Sequence, residues 1–595
     1  MNAVELYHIK KSYKKIVALK DIKLNIPKNK LTCIVGPDGA GKSTLLKIIA
    51  GVLTFDSGEL HIFGKKISKI NEMEIFKDKI AFMPQGLGLN LYQNLSIEEN
   101  IDFFAHLHNI EKTKAEQRKE TLLKITNLYK FKEREVSKLS GGMKQKLGIC
   151  CSLIHSPELM ILDEPTTGVD PVSRKELYLL INRFIEDEGV TAIISTSYID
   201  EAERGDKIII LSEGEIIIDN DNFFDNFDVY EIRDENFLKI YNKLNNENFY
   251  FIKLNKDHIR LSPKDNISID PKWQKVKTNL DDRILMNIGT RKLALDITSK
   301  ENNNETVIEI RNVSKNFGNF YAVKDVNFDI KKGEIFGILG PNGAGKTTLI
   351  KIILNLYEPS SGEIYINIKN GDIKSSIGYM SQKFSLYSDL TVKENLLFFG
   401  STRGIKTKNL KEKVENLLKI ANLTDYKDNI VSSLPLAINQ RLALISAIIH
   451  EPEILFLDEP TAGVNISERD AFWQIIRYLS NNKKITIIVS THYMDEADYC
   501  DRLCMMLDGK VALIGTPLEL KKGLEDKIGV PYLIETNDTY KLYSELKHKG
   551  YNVDIFGNKV KIFTKNLENI EKYPNIYKTE TTIQDVFVST TEHGI

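Results

Sequence analysis

Two stretches of this sequence end a glycine-rich turn with a lysine and a hydroxyl residue: GPDGAGKS at 36–43 and GPNGAGKT at 340–347. Each follows an apolar strand-like run, LTCIVG or EIFGILG, and the first opens the helix-periodic segment TLLKIIAGVL. A strand, a turn of this spacing and a helix make a cradle whose backbone N–H groups face an anion at a helix N-terminus. The first cradle comprises Gly36, Pro37, Asp38, Gly39, Ala40, Gly41, Lys42, Ser43 and Thr44. The second comprises Gly340, Pro341, Asn342, Gly343, Ala344, Gly345, Lys346, Thr347 and Thr348. In this pattern Lys42 and Lys346 reach the β- and γ-phosphates of a nucleotide, and Ser43 and Thr347 hold Mg²⁺.

Two further apolar runs, MILDEP and LFLDEP, each end in adjacent carboxylates. A buried strand tolerates such a pair only where something needs the charge. Asp163 and Asp458 suit the outer shell of the metal, and Glu164 and Glu459, one residue on, suit the water that attacks the γ-phosphate. Phosphoryl transfer depends mainly on positioning and charge stabilisation, so one carboxylate to orient water is sufficient protein chemistry. Gln85 in AFMPQ and Gln382 in GYMSQ end short apolar strands, where an amide oxygen can touch both Mg²⁺ and that water. A solvated edge glutamine is the plainer reading of either. Tyr13 and Phe317 precede their respective lysines by the same number of residues. An aromatic at that spacing can stack on adenine, with core packing as the alternative.

The elements that position these residues occur twice. SYKKIVALKDIKLNI at 12–26 matches NFGNFYAVKDVNFDI at 316–330, and ISTSYIDEAE at 194–203 matches VSTHYMDEAD at 489–498. The spacing between copies shrinks by a few residues along the chain, as small deletions in surface loops produce. The polar segment TSKENNNETV at 298–307 reads as the hinge. The organisation expected is an ATPase-type domain at 1–225, the C-terminal subdomain of the first half at 226–297, a linker at 298–306, a second domain at 307–525 and the C-terminal subdomain of the second half at 526–595. Apolar alternation in YFIKLNKDHIRLS and YNVDIFGNKVKIFT makes both tails small α+β units.

Length and composition bound the rest. A chain of 595 residues exceeds one ordinary domain. Apolar and charged fractions of 42% and 27% are globular values. A net charge of −1 argues against a basic nucleic-acid-binding surface. No apolar run approaches the ~18 residues of a membrane span, and MNAVELYHIKKSYKK carries no signal-peptide core. The five cysteines form no CxxC pair, and Cys500 and Cys504 read as packing residues. A soluble cytoplasmic protein is expected.

LSGGMKQKLGI at 139–149, taken with the phosphate loops, the two glutamines, LDEP and STHYMDEA, resembles the ATP-binding subunits of ABC transporters. STHYMDEADYCDRL followed by GTPLEL, with TIQDVF near the end, is similar to the daunorubicin-resistance class of exporter ATPases, whose fused tandem forms serve multidrug efflux. The resemblance implies an α/β fold of two tandem P-loop (RecA-like) ABC ATPase domains, each with a helical subdomain and a small α+β C-terminal tail. It implies ATP and Mg²⁺ as cofactors and a separate export permease of two integral membrane subunits. It also places the chain at the cytoplasmic face of the membrane, held through that permease, with no nucleic acid as partner. Two ATP sites are implied, formed head to tail, each nucleotide lying on one half's phosphate loop under the other half's LSGG helix. Ser140, Gly141 and Gly142 would then offer a hydroxyl, backbone N–H groups and a positive helix end to phosphate.

The copies differ at three places. Ser197 stands where His492 stands, Pro435, Leu436 and Ala437 stand against Ser140, Gly141 and Gly142, and Asn465 stands against Asp170. The implied pairing collects all three departures in one site, with Lys42, Glu164 and Ser197 under Pro435, Leu436 and Ala437. The other site keeps Lys346, Glu459 and His492 under Ser140, Gly141 and Gly142. Proline has neither hydroxyl nor N–H to offer, although it suits the start of a helix. Serine is too short to reach where an imidazole holds γ-phosphate and water. One hydrolytic site, with Glu459 and His492 catalytic, and one mainly binding site with a residual Glu164 are therefore expected. A soluble tandem ATPase acting on ribosomes is the alternative. Such proteins carry a long charged helical linker and two intact LSGG helices, both missing here. Long heptad inserts of chromosome-maintenance ATPases are missing too.

Overall fold

Strands Leu31–Val35, Leu159–Asp163 and Thr191–Thr196 are buried along their whole lengths. Runs of that kind, apolar on both faces, belong inside parallel sheets covered by helices. In this computed structural model they do. The structure describes residues 1–595 except 15, 68–69, 87–90, 168, 170, 220–226, 265–266, 268, 301–303, 342, 369–372, 383–384, 465, 492, 537, 572, 574 and 594–595. The described residues divide into two units, 1–225 with 527–580, and 226–526 with 581–595.

The first unit has a six-stranded sheet in the order 215–219, 207–212, 31–35, 191–196, 159–163, 80–83. Its pairs are parallel except at the 215–219 edge. An antiparallel four-stranded sheet led by the hairpin Asn2–Tyr13 and Ile16–Pro27 closes one core with the helix Lys42–Ile49. Helices Ile97–Leu107, Lys112–Ile125 and Gly141–Leu153 form the helical subdomain. The first of these starts at a capping box, Ser96 with Glu99.

The second unit repeats the plan. Its six strands run in the order 377–380, 454–458, 486–491, 335–339, 502–507, 510–515. Helices Val392–Thr402, Thr407–Ile420 and Leu436–Ile448 repeat the helical subdomain, and Thr391 with Glu394 repeats the capping box. The five cysteines are buried and unpaired, as packing residues.

Each tail is a four-stranded antiparallel sheet with helices, as the alternation predicts. By chain continuity a tail completes the half it follows. In the packing, the tail after the first ATPase domain lies in the unit of the second, and residues 527–580 lie in the unit of the first. Arg204 of the first ATPase domain is buried and makes a two-pronged pair with Asp554 at 2.9 and 3.0 Å, its guanidinium resting over the Phe556 ring. In the other unit, Gln474 of the helix Ile466–Lys483 accepts from Leu293 N and donates to Arg291 O, at 2.8 and 3.1 Å. Residues 298 and 300 of the expected linker are held there too, Thr298 by Asn481 and Asn482 and Lys300 by Asp501.

Breaking a buried ion pair from one side leaves the partner charge uncompensated. Replacing Asp554 by Ala is expected to weaken docking of residues 527–580 by about 3 kcal/mol. Hydrogen exchange of those amides in the full chain, faster than in the native protein, checks it.

Candidate active site

Both glycine-rich loops lie at the carboxyl ends of inner parallel strands, Leu31–Val35 and Ile335–Leu339. Ligands of open α/β sheets gather at such ends. Helices Lys42–Ile49 and Lys346–Ile353 begin at Gly41 and Gly345, which have φ of 104° and 97° and no side-chain cap. A Cβ on Gly41 would sit 2.6 Å from Ala18 O, and one on Gly345 would sit 2.2 Å from Ala322 O, so only glycine fits. The first N–H groups of both helices thus face the loop with no side chain to satisfy them, which suits an anion.

The lysines turn into their own loops. Lys42 Nζ donates to Gly36 O at 2.7 Å and Pro37 O at 3.2 Å, and Lys346 Nζ donates to Gly340 O at 2.7 Å and Pro341 O at 3.0 Å. Lys42 is also ion-paired with Glu164 at 3.0 Å, both side chains being buried. Burial pushes the Lys346 ammonium below the ordinary lysine range and the Asp458 carboxyl above the ordinary aspartate range. A polyanion against the lysine and a cation against the aspartate would each oppose these shifts, so the residues fit a metal-bound nucleotide.

The two glutamates sit alike. Glu164 and Glu459 adopt left-handed backbone, with φ of 48° and 49°, a conformation that persists in a non-glycine residue only where the surroundings impose it. Gln85 Nε2 donates to Glu164 Oε2, and Gln382 Nε2 to Glu459 Oε2, each at 2.8 Å. The structure therefore brings glutamine, lysine and glutamate together in the first unit, and glutamine with glutamate in the second. Ser43 and Thr347 each follow the loop lysine in the first turn of its helix. Tyr13 and Phe317 are about half exposed at the ends of their strands, not packed in a core. Asn342, Asp170, Asn465 and His492 lie outside the described residues. Ser197, in the turn after Thr191–Thr196, is partly buried.

The LSGG helix and its counterpart begin differently. Ser140 accepts from Met143 N at 3.3 Å as the cap of Gly141–Leu153, whereas Pro435 caps Leu436–Ile448 with no side-chain bond. A Cβ on Gly142 would lie 2.7 Å from Ser173 Oγ, so this glycine serves packing of its helix against Pro171–Glu188. Leu436, opposite Gly141 in the alignment, is exposed.

Some residues of the site were present in the quoted repeats without an assigned role. Ser195 Oγ donates to Asp163 Oδ1 at 2.6 Å and accepts from Glu164 N at 2.9 Å, so one hydroxyl fixes both carboxylate residues. Ser490 donates to Asp458 in the same way. Glu201, wholly buried, accepts from Thr166 at 2.7 Å and Thr196 at 2.6 Å, and Glu496 accepts from Thr461 and Thr491. These glutamates tie the turn after each carboxylate pair to the end of the next strand. The signal was their identical spacing in ISTSYIDEAE and VSTHYMDEAD.

Comparison with known proteins places the chain. The family profile described as ABC transporter matches residues 19–167 and 323–462. The probable multidrug ABC transporter ATP-binding protein YbhF of Escherichia coli K12 is 38% identical over 527 residues, covering 82% of this chain and 89% of that one. The chain belongs to the ABC transporter ATP-binding family. The Nod factor export ATP-binding protein I of Rhizobium sp. N33 is 34% identical over 45% of this chain and 88% of its own. A chain in the crystal structure of archaeal ribosomal stalk protein aP1 with the ribosome recycling factor aABCE1 aligns with TM-score 0.57 at 21% identity. That alignment covers 95% of this chain and 97% of that chain, and shows a shared tandem fold. Family members are ATPases, so this chain is an ATPase with two tandem cassettes.

Because Ser490 orients Asp458, Ser490→Ala is expected to lower kcat for ATP about tenfold or more. Steady-state ATPase assays with ATP titration check this.

Proposed function

We propose that this transporter ATPase powers export through a membrane permease and that its two ATP sites work unequally. No described helix is long and apolar enough to cross a membrane, so the path for cargo would lie in another chain. Relatives named for multidrug transport and Nod factor export support the direction of transport. Each helical subdomain carries a matching exposed aromatic pair, Tyr92 against Phe103 and Tyr387 against Phe398, each with ring centroids 4.6 Å apart. Exposed apolar groups in repeated positions suit two permease subunits, which would hold the chain at the cytoplasmic membrane face.

The asymmetry rests on one observation above all: Ser140 offers a hydroxyl at the start of its helix, and Pro435 offers none. In the pairing of the family, Ser140, Gly141 and Gly142 serve the nucleotide held by Lys346, Glu459 and His492. Pro435, Leu436 and Ala437 serve the one held by Lys42, Glu164 and Ser197. Ser43, Gln85 and Asp163, and Thr347, Gln382 and Asp458, would hold Mg²⁺. When bound, the ion would neutralise charge on the β- and γ-phosphate oxygens. Lys42 or Lys346 binds phosphate, and Glu459, released from Gln382, orients water and accepts its proton. Loss of a positioned donor costs about 10²–10³ in rate, so the first site would hold ATP and turn it over slowly.

Glu459→Gln is expected to remove nearly all ATPase activity, and Glu164→Gln to leave most of it. Single-turnover hydrolysis of each full-length variant is the measurement, and equal loss in both would sink the unequal reading. Co-purification with an integral membrane protein is expected, and sedimentation with ribosomes in its place would reverse the assignment to export.

A further inference from the structure

The helix Ile466–Lys483 carries two consecutive buried charges, Arg469 and Asp470, that the phosphate chemistry does not use. Arg469 pairs with Asp495 and lies 5.1 Å from the centre of the Tyr493 ring. Both partners belong to the segment just after position 492, whose flanking Thr491 is bonded to Glu496 at 2.6 Å. This helix also receives the tail that follows the first cassette. The tail helix Leu280–Ile288 packs on it, and Arg477 donates to the carbonyls of Asn255 and Lys256. Asp281 of that tail bonds Lys253 at 2.7 Å. Burial opposes its charge, yet Lys253 and Arg469 together hold its carboxyl below the ordinary aspartate range. Lys256 of the same tail donates to Asp501 O at 2.9 Å, and the C-terminal helix Ile583–His593 also packs on the Met494–Tyr499 turn.

We propose that the tail following the first cassette supports catalysis in the second by holding the segment 493–499, with Asp281 and Arg469 as positioning residues. The first unit repeats the construction with different residues. Arg174 lies 4.0 Å from the Tyr198 ring centre and 3.7 Å from Glu201, and the same segment presents Arg204 to Asp554 of the other tail. In the alignment Arg204 stands where Tyr499 stands, and Tyr499 stacks on Trp473 at 4.9 Å. A tail of the opposite sequence half thus meets the segment that follows strand 191–196 in one unit and strand 486–491 in the other. Rigid support from outside the site matters because small misplacements of a reacting group are costly.

The proposal rests on hydrolysis at the site of Glu459 and His492, so the test uses the native full chain, with Glu459→Gln as the arm that reports on that site. Asp281→Asn is expected to lower kcat about tenfold, with the KM for ATP moving less than about twofold. Asp281→Glu should restore kcat. An unchanged kcat with only a lower melting temperature, or a rise in KM alone, overturns the proposal and leaves the tail a packing element. If Asp281→Asn does not fold, Lys256→Met with the same readouts decides. If Glu459→Gln leaves turnover intact, the assignment of sites has failed and not the role of the tail.

Discussion

Four carboxylates at the ends of two buried strands impose the main electrostatic demand on this molecule. Desolvated charge is stable only with partners, and the surrounding structure supplies them in a fixed pattern. A serine from the neighbouring parallel strand holds each aspartate, a glutamine from the opposite neighbouring strand's end holds each glutamate, and in the first unit the loop lysine closes on Glu164. The parallel register makes this possible. Asp163 lies beside Ser195, and Asp458 beside Ser490, because these strands run in the same direction and end together.

The same economy of partners extends outward. Glu201 and Glu496 are each a buried acceptor for two threonines, one in the turn after the carboxylate pair and one at the end of the next strand. Burial lifts Glu496 to about 7, with Arg469 opposing that rise. Behind these glutamates stand Arg174 and Arg469, and beside them the exchanged tails. The site is therefore not a set of loops on a sheet. The segment behind each site also meets a subdomain encoded elsewhere in the chain, through Arg204 and Asp554 in one unit and Lys256 and Asp501 in the other.

The unequal treatment of the two copies follows the same logic. Evenly spaced motifs keep Lys42 and Lys346, Glu164 and Glu459, Gln85 and Gln382 in matching places. What changes is the start of one helix, one residue after one strand, and Asn465 in place of Asp170. A proline at the cap keeps the helix and brings no hydroxyl to its start.

The sequence by itself determined the duplication, the two phosphate loops, the carboxylate pairs and the glutamines, because these depend on short spacings that local backbone geometry enforces. It also carried Ser195, Ser490, Glu201 and Glu496 inside its repeated motifs. Their roles were not legible, since a hydroxyl or carboxylate acquires a role only when strand register brings a partner to it. The crossed tails were decided by tertiary structure alone. Both cassettes present similar helices and switch segments, and chain continuity favours the nearer one. The choice depends on which buried polar group finds its counterpart, as Arg204 finds Asp554 and as Gln474 and Arg477 find the tail of Asp281. Pairings between residues hundreds of positions apart leave no periodicity in the chain for a reader of sequence to find.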